Sequence, residues 1–90
     1  MTDVSFTAEH ADYFDLTVTE VEVVGLVERR FSRQAIAAYL DVSEQTARNI
    51  IGDLCDFYRV PTAELPAEVR RQAILRFRAS EVSTTKGRDA

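Results

Sequence analysis

The stretch that most constrains this chain runs from Arg33 to Ile50, RQAIAAYLDVSEQTARNI. Ile36, Ala37 and Leu40 give its first half an apolar stripe at helical spacing. Asp41 breaks the stripe, Val42 plugs a tight turn, and Ser43 is placed to cap a second helix by accepting a backbone N–H bond. Ala47, Ile50, Ile51, Leu54 and Tyr58 then recur on one helical face. Small Ala37 sits where two steeply crossing helices leave little room for a side chain. Two short helices joined this way form the minimal frame for laying one exposed helix face in the major groove of DNA. The exposed positions near the start of the second helix are Glu44, Gln45, Arg48 and Asn49, all able to hydrogen-bond to base edges or phosphates.

The flanking sequence adds two more helices. Thr17-Val18-Thr19-Glu20 reads as a capping box, with Leu16 before it as a staple residue, and predicts a helix over 17–31. Val23, Val24, Val27 and Phe31 are its expected core residues, and Gly25 is expected to permit a close helix contact. Ser32 caps the helix over 33–40, and Val60-Pro61 stops the helix over 44–58, because proline disfavours a helical conformation in the residue before it. Pro66 suits the first position of a last helix over 66–79. Val69, Ala73 and Phe77 line one side of it, Ile74 and Leu75 widen the apolar surface, and Arg70, Arg71, Arg76 and Arg78 cover the rest. The expectation is an all-α, four-helix domain over 16–79, preceded by an acidic arm over 1–15 whose Phe6, Tyr13 and Phe14 pack on the domain, and followed by a flexible tail over 80–90.

Charge is spread unevenly. Residues 1–15 carry −4, residues 16–60 carry −2 and residues 61–90 carry +2, for a total of −4. The total argues against a simple basic nucleic-acid footprint, although the later part of the chain could meet phosphates. No run of eighteen apolar residues predicts a membrane span, and the N-terminus carries no leader pattern, so a cytoplasmic location is expected. One cysteine, Cys55, and one histidine, His10, leave no internal disulfide and no zinc site of the usual types. No nucleophile–base pair, glycine-rich phosphate loop or carboxylate pair in a plausible cleft appears. An enzyme is not expected, and no cofactor is called for.

The segment LTVTEVEVVGLVERRFSRQAIAAYLDVSEQTARNI resembles the LuxR-type (GerE-like) helix-turn-helix domain. Matching positions are Leu16, Thr17, Glu20, Glu22, Val23, Leu26, Val27, Ser32, Ile36, Ala37, Leu40, Val42, Ser43 and Thr46, without gaps. The resemblance implies a four-helix DNA-binding domain of a transcription regulator, dimeric through its last helix. Thr19, Arg30, Ala35, Ala47, Ile50 and Phe57 stand where that family usually has Arg, Gly, Glu, Val, His and Lys. The last two exchanges remove polar or basic groups from the recognition helix, and Asp53 and Asp56 add negative charge to it.

Together these features assign base contacts to Glu44, Gln45, Arg48 and Asn49, phosphate contacts to Ser43, Thr46 and Arg33, and a homodimer interface to Val69, Ala73, Ile74 and Phe77. The expected partner is double-stranded DNA. The alternative is a protein-interaction module on the same frame, binding another regulatory protein through a helix face rich in carboxylates. The bland alternative for each polar residue is a solvated helix surface.

Overall fold

The computed structural model describes residues 5–89, with side chains through Arg78. A 3-10 turn over Ala8–His10 leads into α1, Ala11–Phe14. Then come α2, Val18–Glu28; α3, Arg33–Leu40; α4, Glu44–Tyr58; a second 3-10 turn over Thr62–Glu64; and α5, Leu65–Asp89. No strand occurs among the described residues.

The helix starts are made by side-chain caps. Thr17 Oγ1 accepts from the Glu20 amide at 3.1 Å, and the Thr17 amide donates to Glu20 Oε1 at 3.0 Å, closing the capping box. Ser32 accepts from the Ala35 amide at 3.1 Å, and Ser43 from the Thr46 amide at 3.0 Å. Each cap satisfies one of the backbone donors that a helix start leaves orphaned. The helix ends share another device. Leu16, Phe31, Val42 and Val60 each donate a backbone N–H to the carbonyl five residues back, at 3.0–3.2 Å. The residue before each donor, namely Asp15, Arg30, Asp41 and Arg59, has φ between 58° and 67°. This is the Schellman closure, built here without glycine.

The core lies where all five helices meet. Phe14, Val21, Val23, Val24, Ile36, Leu65 and Val69 are fully buried. Ala37, Ala47, Ile51, Leu54 and Tyr58 lock α3 and α4 onto them.

Several expectations need correction. The aromatics of the N-terminal segment pack on the domain as expected, with the Phe6 and Phe14 rings 4.6 Å apart in the core, but they do so from a 3-10 turn and α1, and Ala11 joins them there. Gly25 makes room for this segment and not for another helix, because a Cβ there would lie 3.0 Å from the Phe6 carbonyl oxygen. The helix expected over 17–31 stops at Glu28, since Arg30 takes the left-handed conformation that closes it. Phe31 is therefore outside the helix and 39% exposed. Val42 does not plug the turn; it is 37% exposed. The last helix continues to Asp89, through most of the expected tail. Met1–Val4 and Ala90 lie outside the described residues.

Candidate nucleic-acid interface

Asp41, Val42 and Ser43 join α3 to α4. The left-handed Asp41 (φ 59°) ends α3, and the extended Ser43 starts α4 within two residues. Ala37 on α3 is 5% exposed and Ala47 on α4 is fully buried, so two small residues sit in the core beside this turn. Ala47, Ile51, Leu54 and Tyr58 fix the inner face of α4. Its rotational setting follows, and the outer face of its first two turns is polar.

Glu44, Gln45, Thr46, Arg48 and Asn49 are all exposed. They are brought together as two cross-turn pairs. Arg48 Nη2 lies 3.9 Å from Glu44 Oε2, with both side chains 53% exposed. Gln45 Nε2 donates to Asn49 Oδ1 at 2.9 Å. Exposed pairs of this kind stabilise a helix by only about 0.3–0.5 kcal/mol, so a ligand can replace them at little cost. Ser43 Oγ donates to Thr46 Oγ1 at 2.9 Å while accepting from the Thr46 amide, so both hydroxyls serve the cap. Further along, Asp53 and Asp56 are exposed, Ile50 is half-buried and Phe57 is 73% exposed.

Two of the expected sites are placed differently. Arg33 stands at the start of α3, a helix length of roughly 12 Å from the turn at 1.5 Å per residue. There it lines a groove with Ile36 and Ile51, apart from Ser43 and Thr46. On α5, Val69 and Ala73 are 0% and 1% exposed, because they pack into the chain's own core. They are not available to a second copy. Ile74, Leu75 and Phe77 remain open, at 45%, 45% and 59% exposure.

Other contacts were not visible in the sequence. Arg70 makes a two-pronged ion pair with Glu28 and lies over the Phe6 ring at 4.2 Å, tying α5 to α2 and to the N-terminal segment. Its Nε is buried without a hydrogen-bond partner. Burial pushes the Tyr58 phenol above its usual 10.0, opposed by Arg76. Hydrogen bonds from Arg71 and Gln72 hold the Glu68 carboxyl below its ordinary range. Among the described residues no group of three or more His, Cys, Asp or Glu converges as a metal site, and no helix is long and apolar enough to cross a membrane.

Comparison with family models, with curated proteins and with solved structures returns no match. The fold itself defines an all-helical domain in which a helix, a three-residue turn and a second helix present a polar, partly charged outer face.

Proposed function

We propose that this chain is a sequence-specific DNA-binding transcriptional regulator of the LuxR-like kind, with α4 as its recognition helix. One observation carries the proposal. Glu44, Gln45, Arg48 and Asn49 stand exposed together on the first two turns of a helix whose back is buried through Ala47 and Ile51. In the major groove, Arg48 would pair with guanine O6 and N7, Asn49 or Gln45 with adenine N6 and N7, and Glu44 with cytosine N4. Ser43 and Thr46, at the positive end of the α4 dipole, would face a phosphate. A homodimer through Ile74 and Phe77 would set two such helices about one DNA turn apart.

The second reading, a module that binds another regulatory protein, draws on Phe57. This ring is 73% exposed one residue from Asp56, on a helix with three acidic side chains and one basic side chain. A phosphate backbone gains nothing from such a surface, whereas a protein partner could bury it.

Titration with duplex DNA across a salt series separates the two. A DNA binder loses affinity log-linearly as salt rises. Arg48→Ala then costs about 1–3 kcal/mol if it reads a base, or lowers the salt slope by about one if it meets a phosphate. Neutralising Asp53 and Asp56 to Asn tightens binding wherever their surface nears the backbone. Loss of a protein partner in Arg48→Ala, with DNA affinity unchanged, replaces the DNA reading by the protein-binding one.

A further inference from the structure

A groove of about 660 Å³ opens between the end of α2, the start of α3, the middle of α4 and the start of α5. That size suits a few side chains of a bound segment. Its lining is apolar where the helices meet: Val27, Phe31, Ile36 and Ile51 contribute, joined by Pro66. Phe31 matters most, because the early end of α2 leaves its ring 39% exposed at this site and not in the core.

The rim is basic on a chain whose net charge is −4. Arg30, Arg33 and Arg70 border the groove, with Glu28 the only carboxylate among its lining residues. Glu28 and Arg70 neutralise each other. Arg30 and Arg33 have no carboxylate partner among the described residues. Two uncompensated guanidinium groups therefore flank an apolar trough. Arg30 holds its place at φ 67°, where a glycine would sit without strain, so the chain keeps a guanidinium at a position whose backbone does not favour it.

We infer that this groove docks a short acidic amphipathic segment of another protein, its apolar side chains on Phe31 and Val27 and its carboxylates on Arg30 and Arg33. Each half of the site requires the corresponding half of that ligand. An apolar peptide without carboxylates leaves the two arginines unused. A DNA backbone supplies charge but nothing to cover the ring of Phe31. Arg–carboxylate pairs can be bidentate, which adds geometric selectivity to the charge. None of Glu44, Gln45, Arg48 or Asn49 lines the groove, so this surface is separate from the proposed DNA-reading face.

The test uses the full chain and labelled synthetic peptides. One alternates Leu or Phe with Asp and Glu at helical spacing; a second has each acid replaced by its amide; a third has each acid replaced by Lys. Fluorescence anisotropy gives affinity, and amide chemical shifts give location. The acidic peptide should bind, shifting Val27, Phe31 and Ile51, and should weaken as salt rises. The amide peptide should bind about tenfold more weakly, as should the acidic peptide to the Arg30→Gly, Arg33→Gln double variant, since two exposed pairs are lost. Arg30→Gly relieves backbone strain, so an unchanged or raised Tm shows that the loss is not misfolding. Equal binding of all three peptides, shifts elsewhere on the surface, or no binding overturns the proposal. So does competition by a short DNA duplex that the same two substitutions weaken equally, which would reassign the arginines to phosphate. An Arg48→Ala variant that loses DNA but keeps the peptide separates this site from the DNA reading.

Discussion

Gly25→Ala puts the packing of the N-terminal segment to a direct test. In an isolated helix the exchange would stabilise by about 1 kcal/mol, because glycine gives up more backbone freedom than alanine. Here the new Cβ would lie 3.0 Å from the Phe6 carbonyl oxygen and 3.1 Å from the Phe6 Cβ. Both are tighter than ordinary van der Waals contact, so residues around Phe6 must withdraw by a few tenths of an ångström. That withdrawal loosens a ring that is 8% exposed, packs 4.6 Å from the Phe14 ring and carries the Arg70 guanidinium. Complete loss of a buried phenylalanine costs about 3–5 kcal/mol, and losing up to about a quarter of its contacts offsets the helix gain. The expected net effect is loss of the helix gain, with Tm unchanged where the helix gain alone would raise it by about 4–8 °C for a domain of this size. In a Phe6→Ala background little packing remains to be lost, and the same exchange should become stabilising. The difference between the two backgrounds, read by thermal melts followed by circular dichroism, measures the coupling. A rise of several degrees from Gly25→Ala in the unaltered chain would refute the docking of Phe6 on α2.

Two further outcomes follow from the core. Leu54→Ala, at a residue 4% exposed, should cost about 2–5 kcal/mol in urea unfolding, and a change below about 1 kcal/mol would remove Leu54 from the core. The folded state raises the Tyr58 pKa above 10.0, so it favours the protonated phenol; this contribution is complete below pH 10 and is lost as pH climbs through the raised value. Urea midpoints should therefore fall on the alkaline side more steeply for the unaltered chain than for Tyr58→Phe, and identical slopes would refute the assignment.

Helix starts were legible because hydroxyl caps are written in local sequence: Thr17, Ser32 and Ser43 each cap where the pattern placed them. Helix ends were less so. Arg30 and Arg59 occupy left-handed positions that usually announce themselves with glycine, and nothing local to Arg30 marked the stop at Glu28. The packing of Phe6 and Phe14 was legible from their aromatic side chains in an acidic arm, but the short helix α1 was not, because a helix that short exists only through tertiary packing. On α5 the stripe of Val69, Ala73 and Phe77 showed a buried face but not what buries it. The chain's own core takes the first two, and Phe77 emerges beyond it. The polar face of α4 was readable from the register of Ala47 and Ile51. The groove was not, since Pro66 and Arg70 come from a part of the chain far from Arg30 and Arg33.

The meeting of the chain's first and last segments governs how the domain must assemble. Arg76 donates to the Tyr13 carbonyl across 63 residues at 3.4 Å, the Tyr13 and Phe77 rings lie 6.5 Å apart, and Arg70 covers Phe6. Helical domains built from neighbouring contacts fold fast, but these closures must join segments separated by most of the chain. During synthesis Phe6 and Phe14 emerge early and wait for the residues of α5 before their pocket is complete. The final closure therefore waits until α5 has been synthesised.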